Sequence, residues 1–228
     1  MYWNQEENPD TVVVPDDIVD VLFALDCREL PVDHAYALSD ALCQAVPWMR
    51  DEPRIAVHAV HVAGSQNGWE RPTHGTDSHL LLSRRTKLTI RVPKEHVEPL
   101  LAALPGTRIE VDGCPLAVGA GKVKALSAET TLFARYVVGD PAQDEDSFLA
   151  AAARALAEMD VVMRKALCGR STALATPQGE LHTRSLMLAD LTAEESFRLQ
   201  RHGLGPHRLI GCGVFIPHKG IDAVTKNR

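Results

Sequence analysis

The order in which strand-type and helix-type periodicities follow one another is the strongest restriction this chain places on its fold. Apolar residues at alternate positions mark strands, and apolar residues three or four apart mark helices. Asp17 to Cys27 (DIVDVLFALDC) reads as a buried strand. Asp33 is placed to cap a helix that starts near His34 and ends before Pro47. Ile55 to Val62 is a second strand, with strand material again at Leu80 to Leu82 and Thr86 to Val92. In the last of these, Leu88, Ile90 and Val92 alternate with Lys87, Thr89 and Arg91. Pro93 opens a second helix over Val97 to Leu104, and Arg108 to Val111 and Pro115 to Val118 form a hairpin through Asp112-Gly113.

That order is strand, helix, strand, strand, helix, strand, and the second half repeats it. Thr131 to Val138 is a strand, Ser147 to Cys168 a long helix rich in alanine and leucine, and Pro177-Gln178-Gly179 the turn between two further strands. Thr192 then caps a helix, with Glu195 in the capping-box position, and a last short strand follows. The expected fold is α+β: two tandem ferredoxin-like (RRM-like) βαββαβ units with a C-terminal glycine-rich loop. The boundary falls near Leu126, giving units 1–125 and 126–228. The halves share the pattern and no sequence identity, so the repeat is one of periodicity alone.

The loop lies in Gly203 to Lys219, GLGPHRLIGCGVFIPHK, where Gly203 and Gly205 are separated by five residues from Gly211 and Gly213. Glycine admits positive φ and lets a partner approach the backbone closely. Successive amides in such a loop can form an anion site. With His207 and Arg208 in the insert and Lys219 just beyond, the expected anion is a phosphate. A helix C-cap and a tight turn would explain Gly203, but not two spaced pairs.

Composition limits the partners. The net charge of −6 counts against a protein that coats nucleic acid nonspecifically. Positive charge is instead gathered in two places: Arg84, Arg85, Lys87, Arg91 and Lys94, and then Arg198, Arg201, Arg208 and Lys219. A basic stripe on an acidic body suits a reader of one defined element, although charge runs are commonly no more than solvated faces. The five cysteines show no paired spacing, no secretory pattern opens the chain, and no apolar run reaches the ~20 residues of a membrane span. The expected location is a reducing cytoplasm.

Motifs spread along most of the chain resemble one family. GLGPHRLIGCG with the following PHKG, NGWERP, LSRRTKLTIRVP, TLFARYVV, LCGR and TRSLMLADL are similar to segments of the CRISPR repeat-processing endoribonucleases, in their compact form. The resemblance implies an enzyme that binds the hairpin of a precursor CRISPR RNA and cuts it once within the repeat. The implied chemistry is metal-independent transesterification, with no cofactor, leaving a 2′,3′-cyclic phosphate and a 5′-hydroxyl. It also implies delivery of the product to a CRISPR effector complex, with no direct role for DNA.

Such a reaction needs a group to remove a proton from the 2′-hydroxyl and cations or amides to stabilise the phosphorane-like transition state. Histidine suits the first task. His34 is the first candidate, since the resemblance places variable catalytic residues on or just after the first helix, although a capping or buried histidine fits the same position. His58 is the second; it and His61 lie on opposite faces of their strand, so only one can line a given site. Trp69 and Arg71 are candidates for base stacking, with Trp69 alternatively a core plug. Arg84, Arg85, Lys87 and Arg91 are expected to grip the RNA backbone. Three other functions stay open: a repeat-RNA-binding subunit that does not cut, a metal-dependent hydrolase using His74, Asp77 and His79, and a regulatory ferredoxin-like module that binds a small metabolite.

Overall fold

The computed structural model describes residues 13–60 and 79–218. Its first half runs β1 (Ile18–Asp26), β2 (Glu29–Pro31), α1 (Ala35–Ala45), β3 (Ala56–Val57), β4 (His79–Leu81), β5 (Lys87–Pro93), α2 (Val97–Ala103), β6 (Arg108–Val111) and β7 (Cys114–Lys124). The second runs β8 (Leu132–Val138), α3 (Glu145–Ala157), β9 (Lys165–Thr176), β10 (Gly179–Ala189), α4 (Ala193–His202) and β11 (Phe215–Pro217). The first sheet has the order β3-β5-β1-β7-β6 and the second β11-β8-β10-β9, with antiparallel pairing throughout. Setting aside the added β6, each order is that of a ferredoxin-like βαββαβ unit, with the first strand between the third and the fourth.

Each sheet buries one face under its own helices. Val21 and Phe23 of β1 and Leu88, Ile90 and Val92 of β5 share a core with Leu38 and Leu42 of α1 and Leu100 of α2. Leu132 and Ala134 of β8 and Leu186 and Leu188 of β10 do the same with Phe148 and Leu156 of α3 and Leu199 of α4. Asp112 and Gly113 take the positive φ values of 47° and 78° that the β6–β7 turn requires. Among the described residues, no helix is long and apolar enough to cross a membrane.

The α3 helix is shorter than its sequence suggests. It ends at Ala157, because Asp160 turns left-handed at φ 53° and the Val161 amide returns to the Leu156 carbonyl. The apolar run to Cys168, continuous with the helix in sequence, belongs to β9, where Cys168 sits opposite Leu186. Asp33 also departs from expectation: its carboxylate accepts from the Ala175 amide of β9, at 2.7 Å, and does not cap α1.

The outer face of the first sheet meets the second half. Arg91, on the polar face of β5, is fully buried. It forks the carboxylate of Asp20, its cross-strand neighbour on β1, at 2.8 and 3.1 Å. Its Nη1 donates to the Gln200 carbonyl of α4 at 2.8 Å and to the Phe215 carbonyl of β11 at 2.9 Å. Beside it, Ile18, Leu126 and Phe197 form a small shared apolar cluster. Arg91 is therefore a tie between the halves. The expectation that it contacts RNA is corrected by its burial.

Candidate active site

The glycine loop is built by close backbone packing. The capping box at Thr192 and Glu195 starts α4, and Gly203 ends it at φ 70°. Gly203 and Gly213, both at positive φ, lie against each other. A Cβ on Gly213 would fall 2.1 Å from the Leu204 carbonyl oxygen, and one on Gly203 2.6 Å from the Gly213 oxygen. No other residue fits either position. Leu204 donates to the Gly213 carbonyl at 3.1 Å, and Gly213 donates to Tyr136 of β8 at 2.6 Å. The amides of Gly203, Gly211 and Cys212 likewise donate to protein carbonyls. The amides of Gly203, Gly211 and Gly213, expected to cradle a phosphate, are thus taken by protein carbonyls and close a clasp between α4, β8 and β11, while Gly205 stands in open space. Arg208 belongs to the clasp too. Its Nη1 donates to the carbonyls of Arg201 at 2.8 Å and His202 at 2.6 Å, at the C-terminus of α4. Burial, and then the charge of Arg91, push its guanidinium down to about 10.

The clasp reaches across to the first half. A Cβ on Gly211 would meet the Val57 carbonyl oxygen at 3.2 Å and the Ala59 amide at 3.4 Å, so the loop rests on the backbone on either side of His58. There an open pocket of about 200 Å³ forms, lined by His58, Lys87, Phe133, Arg135 and Gly211 among others. β5 supplies Lys87, which is exposed, and the His58 amide continues the β3–β5 ladder by donating to Thr89 at 2.9 Å. β8 supplies Arg135, whose guanidinium stands 5.9 Å from the centre of the Phe133 ring.

His58 carries the electrostatics of the pocket. Its Nε2 faces Asp20 Oδ1 at 3.4 Å, within ion-pair reach but without hydrogen-bond geometry. Burial pushes its pKa down; Asp20 pulls it back up, and Arg91 and Arg208 add to the depression. The net result lies below the ordinary imidazole value, so the ring is poised as a proton acceptor at neutral pH. For Asp20, burial raises the pKa, but the opposing charges of Arg91 and His58 outweigh it and hold the carboxyl well below the usual carboxylate range.

His34 stands apart from this pocket. It is 1 % exposed, its Nδ1 donates to the Pro31 carbonyl at 2.8 Å, and its Nε2 accepts from the Val60 amide at 3.2 Å. With both nitrogens bonded to backbone, it fixes the segment after β3, and neither nitrogen is left in this arrangement for the catalytic role expected of it. Arg84 and Arg85 are exposed in the turn leading into β5, two to three residues from Lys87. Gly205 and His207 edge a different groove, shared with Arg50. Trp69, Arg71 and Lys219 lie outside the described residues, as do His61, His74 and Asp77 of the histidine-rich stretch. Among the described residues no three metal-binding side chains cluster. Arg135, Phe133 and Asp20 were not legible as site residues. Arg135 and Phe133 share a strand face in TLFARYVV, which is the one signal that pointed to them.

Two ferredoxin-like units clasped face to face, with one imidazole and two cations in the seam, define a class of tandem-unit proteins with a basic inter-unit site. The comparisons agree in fold and name the family. The family model described as Cas6 Crispr matches residues 19–220, and the chain belongs to that family. It is 34% identical over 199 residues to the CRISPR-associated endonuclease Cas6 of Myxococcus xanthus (strain DK1622), covering 87% of this chain and 81% of that one. A solved CRISPR associated protein Cas6 superposes with a TM-score of 0.59 at 9% identity, over 89% of this chain and all of the other, 100%. A CRISPR endoribonuclease Cse3 bound to a 19 nt RNA gives 0.51 at 13% identity, covering 87% and 96% of the two chains.

Proposed function

We propose that the protein binds the repeat of a precursor CRISPR RNA and cuts it by metal-independent transesterification in the pocket between β3, β5, β8 and the glycine clasp. That it is a CRISPR-associated endoribonuclease follows from its family. The observation that carries the site assignment is the meeting of a depressed imidazole, His58, with Lys87 and Arg135 in one open pocket.

In this reading the 2′-hydroxyl gives its proton to His58 as its oxygen attacks the adjacent phosphorus. The bond from phosphorus to the 5′-oxygen breaks, the 5′-oxygen takes a proton from solvent, and the products end in a 2′,3′-cyclic phosphate and a 5′-hydroxyl. Lys87 and Arg135 stabilise the negative charge that builds on the non-bridging oxygens. Arg84 and Arg85 extend the same basic edge along the RNA backbone, and the RNA bound to the Cse3 relative is consistent with a strand lying on this fold. The units 1–125 and 126–228 divide the work: the first carries the imidazole, the second the clasp that seats it. Delivery of the product to an effector complex in the cytoplasm completes the proposal.

The test is incubation with end-labelled repeat RNA in excess EDTA, with mapping of the product ends. Cleavage at one site with cyclic-phosphate and 5′-hydroxyl ends is expected. Cleavage abolished by the chelator and restored by a divalent ion would overturn the mechanism.

A further inference from the structure

The geometry points to Asp20 as the residue that positions His58 for the reaction, by placing a carboxylate against one ring nitrogen so that the other is presented to the RNA. This rests on the reading of His58 as the base. Asp20 touches no substrate in this arrangement; it is a positioning residue.

The sequence places the two groups together through register. Asp20 on β1 stands opposite Arg91 on β5, and Arg91 stands opposite Ala56 on β3. His58 follows Ala56 by two residues and so projects to the same face. That face is the one the second half covers, which is why Asp20 is 8% exposed. His58 Nε2 is sealed from solvent, and the charged group that stands against it is Asp20 Oδ1, at 3.4 Å. A proton on Nε2 is therefore directed at the carboxylate, and Nδ1 is the nitrogen left to accept a proton in the pocket that His58 lines. Once it does, the ring becomes an imidazolium 3.4 Å from a carboxylate, and the attraction between them stabilises the charge formed during the reaction.

Arg91 makes this arrangement durable. Its bidentate bond keeps Asp20 ionised in a buried place and fixes the direction of both oxygens. Because the same guanidinium holds the Gln200 and Phe215 carbonyls, the carboxylate that orients His58 is itself anchored to the second half. The charged and titratable groups facing the imidazole are Asp20 from β1, Arg91 and Lys87 from β5, Arg135 from β8 and Arg208 from the clasp. Asp20 is the one anion in that set.

The experiment compares wild type, Asp20→Asn and His58→Ala in single-turnover cleavage of one labelled repeat RNA across pH 4.5 to 9, alongside RNA affinity and thermal midpoint. Asp20→Asn is expected to cut about 10- to 100-fold more slowly, the size of effect that outer partners of a working histidine have elsewhere. Its acid limb should move to lower pH, because the one neighbour that favours the imidazolium is gone, while RNA affinity holds. A merely structural Asp20 would lower the thermal midpoint and leave the limb where it was, which overturns the inference. Should His58→Ala be inactive while Asp20→Asn matches wild type in rate and limb, only the role of Asp20 falls. Should His58→Ala cut at the wild-type rate, the pocket reading falls with it. If Asp20→Asn does not fold, long-range ¹H–¹⁵N NMR of wild-type His58 decides: the Nε2–H tautomer supports the inference, and the Nδ1–H tautomer contradicts it.

Discussion

The N-cap of α1 and the residue just after β3 are both histidines, and the two have opposite surroundings. His34 meets backbone on both sides, a carbonyl at Nδ1 and an amide at Nε2. His58 meets a carboxylate on one side and an open basic pocket on the other. An imidazole whose two nitrogens are both used by backbone can hold a chain segment but cannot exchange a proton with a substrate. An imidazole that faces a carboxylate on one side and lines a pocket on the other can. The difference lies in what each ring faces, and both residues are the same in sequence.

This contrast can be broken by substitution. The largest effect is expected at His58: replacement by alanine should lower the single-turnover cleavage rate about 10²- to 10⁴-fold, the usual contribution of a general base, with the thermal midpoint little changed. Next in size is Arg91→Ala, which leaves Asp20 charged, buried and without its partner. A loss of about 3–5 kcal/mol in chemical denaturation is expected, enough to part the two halves. His34→Ala should be smaller and of another kind, about 1–3 kcal/mol of stability from the orphaned Pro31 carbonyl and Val60 amide. The folded fraction of that variant should cut at a rate within a few-fold of wild type. Loss of catalysis at unchanged stability would make His34 the working residue instead. The mildest effect belongs to Arg84 and Arg85. Their double alanine variant should weaken RNA binding, and the slope of log affinity against log salt should shrink by about 1.5 to 2, with the rate at saturating RNA preserved.

The fold was legible because two periodicities repeat in a fixed order, and both cores follow the alternation: Leu88, Ile90 and Val92 are buried as their pattern requires. The turn at Asp112-Gly113 and the Thr192 capping box were visible for the same reason, since each depends only on local chemistry. The site was less legible because it forms between the units. The alternation of β5 puts Lys87 and Arg91 on one polar face but cannot say that the second half covers Arg91 and leaves Lys87 exposed. The paired glycines signalled close backbone approach correctly; what approaches is protein, at Leu204, Gly213 and Val57. Asp20 reads as one polar residue inside an apolar strand, and its meaning depends on Arg91, 71 residues away in sequence.

The most direct measurement is the pH–rate profile of the wild-type protein and of His58→Ala on the same repeat RNA, in chelator and under single-turnover conditions. A neutral imidazole is required, and its pKa is depressed by burial. The wild-type rate should therefore stay level as pH falls from neutrality through about 6.5, the ordinary histidine value, and drop only below it. The residual rate of the variant should show no such limb. An acid limb at or above the ordinary value, or the same limb persisting in His58→Ala, would contradict the assignment of the chemistry to this pocket.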